Sequence, residues 1–275
     1  ANQNNGVIDI DDAFRASDWQ LSYQLARSFK DQQGDFAASS GLVMAKDNMM
    51  VLVRGRYVGQ DFDVEQVGYV PWIGTAELTG LGGPRWYFKD GYVTQILIMA
   101  GFSHDTKEVE TYTDQSGVLV FNMQFRTSWG FELDFIAGRS KDQGIKYDSY
   151  ELDFSTWFHV SPKWYGNSYG IFRKTYNFSR NYLASYFTLG SEIGWHALKQ
   201  LDLGTSYDMY VEGNPEGKIQ EVTYNARPFV SLTPLNDLNV RMYLDNVFLR
   251  STNRSENLIF GFLFSYSFLP KSWIY

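Results

Sequence analysis

A serine and a histidine, Ser155 and His159, lie four residues apart in this 275-residue chain. In an extended strand both would lie on one face, about two pleats apart, as parts of a hydrolase site would. The other two histidines, His104 and His196, add no zinc-binding helix motif, and the chain has no cysteine. A histidine on a polar strand face needs no role beyond solvation. We therefore predict no enzyme activity, no metal site and no cofactor.

A second candidate site is acidic. The segment Asp61-Phe-Asp63-Val-Glu65 resembles the opening of a calcium-binding loop. Such a loop needs glycine at its sixth position and glutamate at its twelfth, and these positions hold Gln66 and Trp72. The segment is therefore not predicted to bind calcium.

A larger set of titratable side chains alternates with apolar residues in segment after segment. Because successive residues of a strand point to opposite faces, this set would share one face. We predict that it lines a lumen; its members are Arg126, Glu132, Asp134, Glu151, Asp153, His159, Glu192, His196, Asp202, Asp208, Glu221, Arg227, Arg241 and Asp245. Carboxylates are the majority, so an open lumen would weakly favour cations. Paired charges would instead fill the lumen, and the sequence leaves both readings open.

The elements that position these residues are strands. Leu119, Phe121 and Met123 alternate with Asn122 and Gln124, and this period of two recurs along the chain while helical spacing is almost absent. Turn-forming segments rich in Gly, Asn, Asp and Pro separate the runs. We count about 14 strands, each roughly 10–16 residues long.

Strand length favours a membrane protein over a soluble one. Strands of a soluble sandwich average about 5–6 residues, whereas a tilted strand that crosses a bilayer needs about 9–11. We therefore predict an all-β, antiparallel transmembrane β-barrel of about 14 strands in the bacterial outer membrane, with the option that it is incomplete at its ends. Residues 18–275 would form the barrel. Residues 1–17, rich in Asn, Asp and Gly, would form a tail or loop.

Tryptophans such as Trp19, Trp86, Trp129, Trp164 and Trp195 fall near predicted strand ends. Rings with a polar tip favour the bilayer interface, so this placement fits the aromatic girdle of such a barrel.

Two places depart from clean alternation. Lys174 shares the apolar face with Phe172, and a lysine at mid-bilayer costs about 2–4 kcal/mol. A position near the strand end, a bulge or a covering partner would each explain it. Ile96 and Ile98 lie opposite Leu97, so this strand is apolar on both faces. We interpret its inner side as packed on a plug or another protein.

Charge and hydropathy exclude two classes. The net charge is −7, the pI is about 5.0 and no run of Lys or Arg is present, which argues against a nucleic-acid partner. No stretch approaches the roughly 18–20 apolar residues of a transmembrane helix.

Two segments resemble a known family. They are Phe62-Asp-Val-Glu-Gln-Val-Gly-Tyr-Val70 and the segment from Asn257 to Ser272. They are similar to the C-terminal barrel region of uncharacterised outer-membrane proteins of Bacteroidota and related bacteria. Members of that family usually carry an N-terminal domain like a family-9 carbohydrate-binding module. No such domain is found in this sequence, so the resemblance implies the barrel but no sugar binding and no catalytic residues.

The expected function is a channel for small solutes or a membrane-embedded subunit of a larger assembly. The expected partners are outer-membrane lipids, lipopolysaccharide and, for a subunit, other envelope proteins. Two alternatives remain, a soluble secreted β-sandwich that binds a ligand and an outer-membrane hydrolase.

Overall fold

The structure is a computed structural model that describes residues 5–30, 34–63, 73–108, 113–235, 237–269 and 272–274. These residues form one antiparallel sheet whose sixteen strands are hydrogen-bonded in chain order. The strands are β1 (Asn5–Ala16), β2 (Trp19–Lys30), β3 (Phe36–Lys46), β4 (Met49–Val58), β5 (Thr75–Tyr87), β6 (Val93–Lys107), β7 (Thr113–Phe125), β8 (Gly130–Asp142), β9 (Ile145–Ser161), β10 (Trp164–Asn177), β11 (Tyr182–Leu198), β12 (Leu201–Gly213), β13 (Ile219–Leu235), β14 (Leu238–Leu249), β15 (Arg254–Leu269) and β16 (Ser272–Ile274). Within the described ranges no pairing joins β1 to β16.

The strand count exceeds the predicted 14, chiefly because the N-terminal segment is not a tail. Its residues Asn5–Ala16 pair with β2 along their whole length. Ile8 and Ile10 alternate there with Asp9 and Asp11, so this segment has the period of two of a strand although its composition is acidic. Main-chain pairing with β2 orders this segment whatever its charge. In the ranges that the structure describes, no helix is long and apolar enough to cross a membrane.

The chain divides into two compact units. The first unit holds residues 1–89, 95–121 and 134–150, and the second holds residues 90–94, 122–133 and 151–275.

The register in the second unit confirms the predicted apolar face. One row that crosses six strands is apolar throughout; it comprises Trp164, Trp195, Leu203, Val230, Met242 and Phe262. Phe262 is 60% exposed and Phe154 is 39% exposed, so these rings do not share a dry interior. Large side chains exposed along one sheet face are typical of a surface that meets lipid.

Exposed tryptophans lie at one end of the strands in each unit. In the first unit, Trp19 opens β2 and Trp86 lies at the end of β5. In the second unit, Trp129 precedes β8, and Trp164 stacks on Trp195 with ring centroids 5.7 Å apart. All five lie next to a connection that follows an odd-numbered strand, as an interfacial girdle requires. Trp72 and the side chain of Trp273 lie outside the described residues.

The structure excludes one of the three explanations for Lys174. The pairing of β10 with β11 runs from Trp164 to Asn177 without a register shift, so no bulge moves this side chain to the other face. Lys174 lies only three residues before β10 ends. A position near the strand end allows the ammonium group to reach the interface.

The first unit has an apolar cluster on its polar face. Leu97, Met99 and Val120 are buried together and pack against Met50, Leu52, Leu81 and Val118. Leu81 lies on the same face of β5 as Glu77, which pairs with Arg56 at 2.7 Å. Ile98, by contrast, is 41% exposed on the opposite face. The buried side of β6 therefore packs on the chain's own strands, which corrects the interpretation that a plug or another protein covers it.

The apolar face makes a direct prediction about insertion. We expect Phe262→Arg to destabilise the protein folded in lipid vesicles by about 2–4 kcal/mol, because it places a cation on the lipid-facing side of β15. The measurement is urea-induced unfolding in vesicles. Ser265→Arg, on the other face of the same strand, is the control and should change the folding free energy little. Equal losses in both variants would contradict the assignment of faces.

Candidate functional site

The candidate site is the polar face of the second unit, on the strands from β8 to β15. The register arranges its side chains in rows that cross the strands. One row consists of charged and polar residues, namely His196, Asp202, Ser231 and Arg241. The next row is aromatic and glycine, namely Tyr165, Gly194, Gly204, Phe229, Tyr243 and Gly261. The third row is again polar, namely Asn167, Glu192, Ser206 and Arg227.

The aromatic row depends on its glycines. A Cβ atom at Gly204 would overlap the ring of Phe229, and one at Gly194 would overlap the ring of Tyr165. Gly261 leaves the same space for Tyr243. Each ring thus lies flat over a glycine of the neighbouring strand, where any larger residue would displace it. These rings and glycines form a packed apolar strip between two polar rows.

The two inward-facing histidines are linked by a tyrosine. The Tyr165 ring lies 4.9 Å from the His196 ring and 6.5 Å from the His159 ring. His196 Nδ1 lies 2.5 Å from Asp202 Oδ1, so the carboxylate orients this imidazole. We call Tyr165, His159, His196 and Asp202 the histidine cluster. Ser155 forms no hydrogen bond to His159 among the described residues, so the serine–histidine contact that the spacing allows is not formed there.

Arginines on this face contact rings and carboxylates. The Arg241 guanidinium lies 4.3 Å from the ring centre of Phe229, and that of Arg227 lies 5.4 Å from the ring centre of Tyr243. Arg227 also forms an ion pair with Asp245. A cation over an aromatic face is attracted by the ring quadrupole, so the aromatic strip holds the arginines of the rows beside it.

Further pairs involve the predicted residues of β8 to β12. Arg173 forms an ion pair with Glu151, and Glu132 accepts a hydrogen bond from Asn122 at 2.8 Å. Asp208 accepts one from the Tyr169 hydroxyl at 2.9 Å. Most of this lining is therefore hydrogen-bonded within the protein.

The structure separates three predicted residues from this site. Arg126 lies just beyond β7 and donates to the Gly91 carbonyl at 3.0 Å. Glu221 accepts hydrogen bonds from the backbone of Val222 and Ser251 and so holds the turn that follows β14. Asp134 belongs to the first unit.

Asp153 stays within the site, since it lies on the same face of β9 as Glu151.

The predicted lumen-lining set leaves out Glu212, the most buried carboxylate among the described residues. Glu212 is 6% exposed and accepts hydrogen bonds from Asn177 at 2.9 Å and Tyr182 at 3.0 Å. Arg180 lies 3.3 Å from it. Glu212 continues the alternation of Asp208 on β12, and this periodicity was the signal that could have found it.

No metal site is evident in the part of the chain that the structure describes, since no three His, Asp or Glu side chains converge there. In the calcium-like segment, the backbone N–H groups of Asp61 and Asp63 donate to Asp35 and Ser28. The remainder of that segment, including Glu65 and Gln66, lies outside the described residues.

Long paired strands with an exposed apolar face, a polar face and tryptophans at one end define an outer-membrane β-barrel protein. Solved structures of OmpT, an outer membrane protein of Vibrio cholerae, share this fold. A loop L8 deletion mutant of OmpT matches with a TM-score of 0.50 and 8% identity over 93% of this chain and 88% of that chain. The in-vitro folded trimer form of OmpT matches with a TM-score of 0.51 and 9% identity over 93% and 86%. The predicted fold class and outer-membrane localisation are confirmed, and the soluble sandwich is excluded.

Other comparisons add nothing to this. No protein-family model matches the chain, and no curated protein matches it. The resemblance to a Bacteroidota family stays a prediction. Of its first segment, only Phe62 and Asp63 lie in the described residues.

One prediction requires correction. The lack of catalytic motifs led to the expectation that the chain is not an enzyme. The match to the OmpT structures overturns that expectation. The expectation rested on missing motifs, and a motif search does not decide for or against catalysis in a chain of this fold. At 8% and 9% identity the match carries the fold and no particular reaction.

The aromatic–glycine row predicts a packing defect. We expect Gly204→Ala to destabilise the protein by about 1–3 kcal/mol, because the added methyl group displaces the Phe229 ring and the Arg241 side chain that it supports. Thermal unfolding in detergent measures this loss. Gly170→Ala is the matched control, since its Cβ would meet no atom closer than 3.8 Å. A loss that is equal in both variants would show that the ring contact is unimportant.

Proposed function

We propose that the chain provides a polar path for small solutes across the outer membrane and that this path favours cations. The observation that carries the proposal is the polar face of the second unit, which presents charged rows on the side opposite the lipid-facing row. In an outer-membrane β-barrel that side faces the interior.

The balance of charge supports a preference for cations. Two arginines of this face pair with carboxylates, Arg173 with Glu151 and Arg227 with Asp245. Glu192 has no arginine or lysine partner among the described residues, and Asp208 is hydrogen-bonded to a neutral tyrosine. The negative field of such carboxylates raises the local concentration of cations.

The proposal predicts ion selectivity in planar bilayers. Pure folded protein should give current steps, and under a KCl gradient the reversal potential should show preference for K⁺. The double variant Glu192→Gln with Asp208→Asn should reduce that preference, because it removes two negative charges from the polar face.

The matched control is Asp47→Asn with Glu216→Gln. It removes the same charge from two exposed turn residues and should leave the selectivity unchanged. Absence of current steps from the folded wild type would refute the channel. Equal changes in both double variants would refute the role of the polar face.

A second candidate function is that of a subunit in a membrane-embedded assembly. Asp12 of β1 lies on the apolar face between Ile10 and Phe14, which are 62% and 65% exposed. It pairs in register with Tyr23, which lies on the exposed face of β2. A carboxylate facing lipid is unfavourable, so this position favours a protein partner. One of the matching solved structures is a trimer form.

The subunit proposal predicts an oligomer whose interface includes Asp12. Native mass spectrometry of detergent-extracted protein should detect an oligomer, and Asp12→Leu should lower the oligomer fraction by removing a polar group from the interface. Leu21→Asp, which adds a carboxylate to the neighbouring strand, should lower it as well. A monomeric wild type would contradict the proposal.

A further inference from the structure

A groove of about 930 Å³ lies on the lipid-facing side of the first unit. Its floor is made of small residues, including Gly117 and Ala137, and its walls include Leu78, Phe102 and Tyr150. A Cβ at Gly117 would meet no atom within 4 Å, so the floor is open space. In a bilayer a void of this size would lose dispersion contacts along its lining. A lipid acyl chain is the occupant that the surroundings supply.

The end of the groove is polar. There Gln115 Nε2 lies 3.4 Å from His104 Nδ1. Arg139 Nε donates a hydrogen bond to Asp148 Oδ1 at 3.1 Å. The side chains of Arg139 and Asp148 are 76% and 73% exposed. A guanidinium carries five N–H donors. Among the described residues only Nε–H of Arg139 has a hydrogen-bond partner, which leaves its terminal N–H groups available to a ligand.

Two more cations extend this polar end. Lys141 follows Arg139 on the same face of β8, and Lys146 precedes Asp148 on the same face of β9. Three basic side chains and the Asp148 carboxylate therefore share the lipid-facing side of β8 and β9 at the border of the apolar surface. The Asp114 carboxylate of β7 accepts a hydrogen bond from the Lys141 backbone N–H at 2.8 Å. Positive charge at that depth attracts anionic lipid headgroups.

The connections indicate which leaflet this border meets. In the first unit the connections after β1 and β3 are the two-residue turns 17–18 and 47–48. The connections after β2 and β6 have five residues each, as does the one after β5, and the one after β4 is much longer and spans residues 59–74. Outer-membrane barrels have short periplasmic turns and longer external loops. The polar end of the groove lies beside the connection after β6 and the two-residue turn 143–144 after β8. Both are on the same side of the sheet as the long connection 59–74, so this end faces the external leaflet.

We propose that this groove binds a phosphorylated lipid of the external leaflet. Its acyl chain lies over Gly117 and Ala137, and its phosphate accepts hydrogen bonds from the terminal N–H groups of Arg139. Lys141 adds positive charge. Charge-assisted hydrogen bonds from a guanidinium to phosphate are strong. The exposed pair with Asp148 is weak by comparison, so it does not prevent binding. This inference requires the outer-membrane location but not the passage of solutes.

The test is native mass spectrometry of the detergent-purified protein with bis-phosphorylated lipid A or with phosphatidylethanolamine. The wild type should retain lipid A in preference to phosphatidylethanolamine. Arg139→Gln with Lys141→Gln should weaken lipid A binding by about tenfold or more. Gly117→Leu should also weaken it, because the new side chain fills open space in the groove without a clash. Circular dichroism and heat-modifiable migration verify that each variant is folded.

The matched control, Lys163→Gln with Lys199→Gln, removes two charges from turns of the second unit and should leave binding unchanged. Three results would overturn the proposal. They are equal retention of both lipids, equal binding by the charge variant and its control, and displacement of lipid A by inorganic phosphate at equal concentration. The last result would mean that only the phosphate is recognised and that the groove takes no acyl chain.

Discussion

Every backbone N–H and C=O group inside a bilayer must find its partner within protein, because hydrocarbon offers none. Neighbouring strands meet this requirement for one another by pairing side by side in chain order, and within the described ranges only the outer edges of β1 and β16 have no strand partner. Once the strands pair, their side chains must alternate between two faces of the sheet. Each strand therefore needs one face suited to lipid and one face suited to the interior side. The row from Trp164 to Phe262 and the row from Tyr165 to Gly261 show both solutions on neighbouring residues.

The polar face is less polar than its composition suggests. In the second unit, rings over glycines separate the charged rows, and Arg241 rests on Phe229. In the first unit, aliphatic side chains around Leu97 and Met99 fill part of the same kind of face. Charges that face one another across low-dielectric surroundings interact more strongly than in water. Apolar packing between the rows therefore strengthens the ion pairs and holds them in place.

Periodicity predicted the strands and their faces, because a period of two depends only on the local backbone. It placed Leu203 towards lipid and Asp202 on the opposite face, as the register confirms. It did not predict which strands bring which residues together, since register depends on long-range pairing. The contact of His196 with Asp202 crosses a two-residue turn, but the register shifts between His196 and Leu198. A regular hairpin register drawn around residues 199–200 would have paired Asp202 with Ala197 instead, so turn length alone does not predict this contact. The contact of Tyr165 with His196 needs the pairing of β10 with β11, which alternation alone does not specify.

Glycines in these strands have opposite effects on the two faces, and their neighbours decide which. Gly194 and Gly204 lie beneath rings of the next strand, so they make the polar face dense. Gly117 has no neighbour near its missing side chain, so it leaves the lipid-facing side open. A gap on the inner face would be filled by water or by protein, whereas a gap on the outer face can be filled only by the membrane. The fold thus places its tight packing where the protein must supply every contact and its open space where lipid can complete the surface.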